Sequence, residues 1–287
     1  MSTAQLAIEP ASEHVGAFVS GIDLAEAASA EGLAPQITAA IKDAWATYGV
    51  LFFRDQNITP DQHLAFAQQF ADIDVNKFFA AVDGYPQIAQ VLKEPDQEHN
   101  IGGGWHTDHT YDTVPARGSI LLAREVPEGG GDTHFLSVAA AYDALPDDLK
   151  ATVADLEAHH SSAHVFGADS QHAEEIGDRF GNAEKVGGTT HPVVVKHPES
   201  GRSVLYVNLA FVTGIVGWSQ DESDDLLHQL YRHIARGGFD YRFQWQVGSI
   251  AMWDNRSTWH MAYNDYPGQR RLMHRITIEG VELARAA

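Results

Sequence analysis

Apolar and polar positions change period several times along the chain. Residues 5–24 read as a strand and turn, with Gly16 and Gly21 as breaks. Ile37, Ile41 and Trp45 recur at i, i+4 and i+8, which predicts a helix over residues 34–47. Tyr48-Gly49 ends it, and Val50-Leu51-Phe52-Phe53 is a short unbroken apolar run, as in a buried strand. Thr59-Pro60-Asp61-Gln62 supplies a cap, a proline at the first helical position and a glutamine at the third, opening a helix to about Phe70. Residues 71–104 show no period apart from a short strand near residues 88–92, and a loop of this length is expected to act as a lid.

From residue 105 strands dominate, at 105–111, 117–124 and 132–136. Helices are expected near 137–144 and 147–157, and a strand at 159–166. Residues 167–190 are polar and glycine-rich, as in a surface insertion. Strands follow at 192–197 and 203–208, and Ser219-Gln220-Asp221-Glu222 is a second capping box opening a helix to about Ala235. The last strands lie near 241–247, 249–253 and 271–279. A mainly β core with flanking α-helices, in a single domain over residues 1–287, fits a jelly roll.

Composition narrows the picture. At 287 residues the chain can bury a large core. The first ten residues have neither a basic nor an apolar signal region, and no apolar run reaches membrane-spanning length, so a cytoplasmic protein is expected. The absence of cysteine removes disulfides and thiolate metal sites, so any metal must be held by nitrogen and oxygen. A net charge of −20 excludes nucleic acid and anionic membrane as natural partners. An anionic substrate would have to be captured locally, against the global field.

Trp105-His106-Thr107-Asp108 offers an imidazole and a carboxylate two residues apart, which on a strand leave the same face. A third ligand is available in His260, after Trp253-Asp254-Asn255-Arg256. Two histidines and one carboxylate on one side of an ion form the facial arrangement of non-haem Fe(II) oxygenases. The spacing alone is weak, because 16 histidines and 39 acids give roughly two His-x-acid matches by chance. His172-Ala173-Glu174 and His197-Pro198-Glu199 are two such matches, and both read as solvated surface, the second in a hairpin turn. His106 differs by its surroundings: Gly102-Gly103-Gly104 before it, and Arg270, Arg271, His274 and Arg275 downstream of His260, a basic cluster suited to an anion.

These stretches, with Gly130-Gly131-Asp132-Thr133 and Arg271-Leu272-Met273-His274-Arg275, resemble the taurine dioxygenase family, which includes the 2,4-dichlorophenoxyacetate and phenoxypropionate dioxygenases. The resemblance runs from about residue 10 to about residue 280. It implies a double-stranded β-helix, with His106, Asp108 and His260 holding Fe(II) and 2-oxoglutarate and O2 as co-substrates. Arg271 and Thr133 match the residues that seat the distal carboxylate of 2-oxoglutarate, and Arg275 matches one that contacts co-substrate or substrate. It further implies hydroxylation with release of succinate and CO2, and a homodimer or homotetramer. Trp253, Asp254 and Asn255 are expected to shape the turn that delivers His260, and His274 to be packed rather than liganding.

The chain departs from the taurine-specific members. A histidine and a tyrosine that hold taurine align with Asn76 and Phe79, and an asparagine aligns with Gly102. A site loses much when such hydrogen-bond partners go, so taurine is not the expected substrate. Phe79, Tyr111 and Phe211 suit an apolar or aryl body, Asn76 is a further candidate substrate contact, His109 and His164 offer polar contacts, and the stretches around residues 81–86 and 160–167 look closest to the aryloxyalkanoate branch. The expected substrate is a small organic anion: an aryloxyalkanoate, alkyl sulfate or sulfonate. Two alternatives stay open at this point, a metal-dependent hydrolase on the same three ligands and a non-catalytic β-barrel binding protein.

Overall fold

Side-chain alternation along the strand Arg271–Ile278 sets out the layers of the molecule. In a computed structural model describing residues 6–29, 32–166, 187–236 and 238–287, Met273 joins one apolar cluster with Val50, Phe52, Leu121, Ala123, Ala251 and Trp253. Ile276 and Ile278, from the opposite face, join another with Leu51, Phe53, Ile120, Leu122, Ile250 and Met252. The strands Val50–Phe53, Gly118–Glu125 and Ile250–Asp254 are therefore apolar on both faces, which is why their sequences read as apolar runs. They lie in one nine-stranded sheet, in the order Ala7–Pro10, Ala17–Ser20, Val50–Phe53, Ile250–Asp254, Gly118–Glu125, Arg271–Ile278, Tyr85–Lys93, Ala81–Val82, with Ile73–Asp74 also paired to Arg271–Ile278.

Three further sheets of three strands are present among the described residues. One of them, Asp240–Phe243, Thr133–Ser137 and Thr258–Ala262, faces the large sheet. Its Phe135 and Phe243 enter the cluster around Phe52, and the Phe52 and Phe243 rings stack at 4.2 Å and 7°. Helices close the outside. Ile41, Ala44, Trp45, Phe66 and Ala67, from Pro35–Tyr48 and Pro60–Ala67, cover the large sheet. Val138, Ala141, Val153, Leu226, Leu230 and Ile234, from Val138–Asp143, Asp147–Val153 and Gln220–Ile234, cover the small ones. This is a double-stranded β-helix of the jelly-roll type, with open sheets facing one another. No helix among the described residues is long and apolar enough to cross a membrane.

Both expected capping boxes form, at Thr59 with Gln62 and at Ser219 with Glu222. Several expectations need correction. Residues 105–111 are not a strand: an isolated bridge joins His106 to His260, and the chain then turns. Residues 71–104 are less irregular than expected, since Tyr85–Lys93 is a nine-residue strand of the main sheet. The strand at 159–166 starts and ends earlier, at Glu157–Ser161, and the short helix Ala163–Phe166 follows. Most of the expected insertion at 167–190, with His172-Ala173-Glu174, lies outside the described residues; its end belongs to the strand Gly188–Pro192. The strand Thr258–Ala262, which carries His260, was not foreseen.

Candidate metal centre

The His106–His260 bridge is the closure on which the centre is built. Each backbone N–H donates to the other's carbonyl, at 3.1 and 2.9 Å, and the imidazole centroids lie 4.1 Å apart. Asp108 comes back towards both rings because the chain turns after His106, so the pairing of these two residues owes nothing to strand alternation. The Nε2 atoms of His106 and His260 each lie 3.7 Å from an Asp108 carboxylate oxygen. That is too long for a hydrogen bond. The three ligand atoms lie within 4.8 Å of one another, as one ion requires. The His106 Nδ1–H donates to the Gly104 carbonyl at 2.8 Å, leaving the Nε2 lone pair free for a metal. An N,N,O donor set without thiolate fits Fe(II).

Burial alone would raise the Asp108 carboxyl pKa, but Arg275, His260 and His106 outweigh it and hold the group well below the usual carboxylate range. Arg275 Nη1 approaches the carboxylate at 3.3 Å, and Ser119 Oγ donates to it at 3.3 Å. Burial, reinforced by His106, keeps His260 well below the ordinary histidine value, so the ring is neutral and able to ligate. Its Nδ1 is buried without a hydrogen-bond partner among the described residues.

Arg271 and Arg275 leave the same face of their strand, as their spacing requires, and both are buried. Arg271 Nε donates to the Gly131 carbonyl at 3.2 Å, while its Nη2 is buried without a partner among the described residues. Thr133 Oγ1 accepts from the Trp245 indole N–H at 2.9 Å, so the hydroxyl keeps its own proton to donate. Trp245 also lies beneath the Arg271 guanidinium, at 5.8 Å. The turn between them is held by Asp265, whose Oδ1 accepts from Gly131 N–H at 2.7 Å, and by Arg242, paired with both Asp132 and Asp265. Gly130 sits at φ +81°, and a Cβ there would lie 2.5 Å from Asp265 Oδ1.

The remaining candidates divide. Phe78, Tyr111 and Phe211 form a small buried cluster with Phe79, Val165 and Phe166 against it, apart from the main cores. Phe79 lies under the Arg275 guanidinium at 4.8 Å. His109 adopts φ +61°; its Nδ1 is 2.9 Å from Asp112 and 3.7 Å from Asp74, and its Nε2 is buried without a partner. Asn76 is not free to meet a ligand with its carbonyl, because Oδ1 accepts from the Phe78 and Phe79 amides and shapes that loop. His164 is exposed. His274 points to the opposite face of the sheet from Arg271 and Arg275 and is buried, as expected of a packed histidine.

The surface reading of His197-Pro198-Glu199 holds for Pro198 and Glu199, which are exposed in a turn, but not for His197. His197 is buried with its Nε2 3.1 Å from Asp254, and Glu199 pairs with Arg256 and Arg117. Arg256 also grips Asp254, which stiffens the turn before His260. Sequence reasoning missed Asn208, whose side chain donates to Thr110 and accepts from the Ala210 and Phe211 amides, tying two loops of the aromatic cluster. It also missed Trp245 and Ser119, whose roles arise only from contacts between distant strands.

Comparison with known proteins places the chain in a family. The family model described as "Taurine catabolism dioxygenase TauD, TfdA family" matches residues 7–277. An alkylsulfatase of Acinetobacter baylyi is 35% identical over 284 residues, covering 97% of this chain and 86% of the relative. An (S)-phenoxypropionate/alpha-ketoglutarate-dioxygenase of Sphingobium herbicidovorans is 34% identical, covering 95% of this chain and 94% of the relative. The crystal structure of a taurine dioxygenase from Burkholderia xenovorans superposes with a TM-score of 0.82 at 35% identity, covering 98% of this chain and 93% of that one.

Proposed function

The chain belongs to the taurine catabolism dioxygenase TauD, TfdA family, and we propose that within it this protein oxidises a small organic anion with an apolar or aryl body. It is an Fe(II)- and 2-oxoglutarate-dependent dioxygenase. His106, Asp108 and His260 would hold Fe(II), which when bound would supply the O2 activation that couples conversion of 2-oxoglutarate to succinate and CO2 with hydroxylation of the substrate.

The protein's part is to bind, orient and exclude water. Arg271 offers a buried guanidinium with an unused Nη2, and Thr133 a hydroxyl free to donate, as a seat for the distal carboxylate of 2-oxoglutarate. Arg275, stacked on Phe79 beside Asp108, is suited to the acidic group of the substrate. The ring cluster of Phe78, Tyr111 and Phe211 would hold the apolar body and keep water out, with His109 Nε2 as a polar contact at its edge. Hydroxylation of a carbon that bears an ether or sulfate oxygen gives a hemiacetal-like product. Loss of the C–O bond then leaves a carbonyl compound and the freed phenol or sulfate. Relatives named as an alkylsulfatase, a sulfate ester dioxygenase and phenoxypropionate dioxygenases support this outcome.

The observation that carries the reading is the N,N,O triad sharing one buried face with two guanidinium groups and an aromatic cluster. Succinate release over a panel of alkyl sulfates, alkyl sulfonates, aryloxyalkanoates and taurine tests it. We expect turnover to require Fe(II), O2 and 2-oxoglutarate, with taurine among the poorest substrates. Preference for taurine would overturn the substrate reading, and turnover with Zn(II) in the absence of O2 would overturn the reaction.

A further inference from the structure

Lys93 is the last residue of the strand Tyr85–Lys93. The antiparallel register sets it opposite Arg271, with Val91 opposite Met273 and Ala89 opposite Arg275. Directly opposed residues project from the same face of a sheet, with Cβ atoms about 5 Å apart. Val91 packs in the inner cluster with Met273, so that shared face looks inward, towards the centre.

Lys93 is only 3% exposed. Its Nζ lies 4.6 Å over the ring of Tyr266, itself buried. A Cβ on Gly131 would lie 3.3 Å from both Tyr266 and the Arg271 side chain, so Tyr266, Gly131 and Arg271 share one corner with Lys93. No hydrogen bond or ion pair of Lys93 Nζ occurs among the described residues. The acids nearby are taken: Glu94 and Glu125 both pair with the more exposed Arg270. Stacking on the Tyr266 face is a favourable cation–π contact, and the neighbouring Arg271 keeps an unused Nη2. A carboxylate entering between the two cations could pair with both.

We infer that Lys93 is a second cation of the co-substrate seat, placed beside Arg271 to receive the distal carboxylate of 2-oxoglutarate. The inference rests on the reading of Arg271 given above. It makes the seat selective for a keto-diacid over a keto-monoacid by two charges rather than one.

Lys93→Met removes the charge and keeps the length. The expected result is a KM for 2-oxoglutarate raised about tenfold or more, with kcat at saturation within about twofold. The KM for 2-oxopentanoate, which lacks the distal carboxylate, should not change, and Lys93→Arg should restore most of the diacid affinity. Calorimetric binding of N-oxalylglycine to the Mn(II)-loaded protein should weaken in parallel.

Arg271→Ala is measured alongside. If it leaves the KM for 2-oxoglutarate unchanged, the seat lies elsewhere and the parent reading fails. If it raises that KM while Lys93→Met leaves both KM and N-oxalylglycine binding as in the wild type, only the role of Lys93 is overturned. Lys93→Gln is the second variant; if neither Met nor Gln yields a folded protein, Lys93 is a structural residue and the inference falls.

Discussion

Asp108 carries two competing partners. Its carboxylate faces both imidazoles of the triad and is also gripped by Arg275. Asp108→Ala is expected to reduce succinate release below about 1% of wild type. It should also cost about 3–5 kcal/mol of stability, because Arg275 would be left buried and uncompensated. Urea titration beside the activity assay checks both, and an unchanged midpoint would remove the Arg275 pairing from the account. At this scale the sequence is legible where chemistry sits in contiguous motifs: His106 with Asp108, Thr133 after its glycines, Arg271 four before Arg275. It is silent where a role comes from register or long-range contact. Lys93 matters because it lies across from Arg271, Trp245 because it reaches Thr133, and Asn208 because it bridges to Thr110. His197 shows the reverse error. Pro198 and Gly201 do mark a turn, and Gly201 N–H closes it on the His197 carbonyl at 2.9 Å, but a turn signal says nothing of the ring beneath, which is buried on Asp254.

Among elements, capped helices and unbroken apolar strands were readable, because a cap and a two-sided core each leave a local mark. The stretch after His106 was misread as a strand because aromatic and β-branched residues there mimic one. In the fold the pairing lasts one residue, and His109 then takes a left-handed conformation. Thr258–Ala262 has no clear alternation, because Thr258 bonds the Asp254 carbonyl, Trp259 packs in a core and His260 faces the centre. The turn 129–132 shows how an element sets chemistry. Gly130 combines positive φ with an approach to Asp265 that no Cβ could share, and Asp265 holds the Gly131 backbone to which Arg271 is tied. Gly130→Ala is therefore expected to destabilise by about 1–3 kcal/mol and to raise the KM for 2-oxoglutarate more than it lowers kcat. Steady-state kinetics with a thermal melt tests this, and a wild-type KM would detach the turn from the co-substrate seat.

Across the whole molecule, the buried histidines outside the centre govern acid stability. His63 is pushed down to about 3 by burial, then by His274 and Arg124, and His160 to about 3 by burial, then by His191 and His159. Both stay neutral in the folded protein, whereas an unfolded chain protonates them near pH 6.5. The stability they allow is complete above pH 6.5 and is lost as pH falls towards 3, by about 2 kcal/mol per ring at pH 5. His63→Leu should flatten the fall of Tm between pH 7 and pH 5; an unchanged slope would assign the acid sensitivity to other groups. The jelly roll also ties together residues far apart in the chain, and at the centre the backbones at 106 and 260 exchange hydrogen bonds. During synthesis, His106 and Asp108 leave the ribosome long before their third companion exists. Two ligands on a nascent chain hold iron poorly, so the ion has no early hold from which to guide assembly. Iron held by this triad would be loaded only once the segment around His260 has docked on His106, so loading would follow the end of translation rather than its beginning.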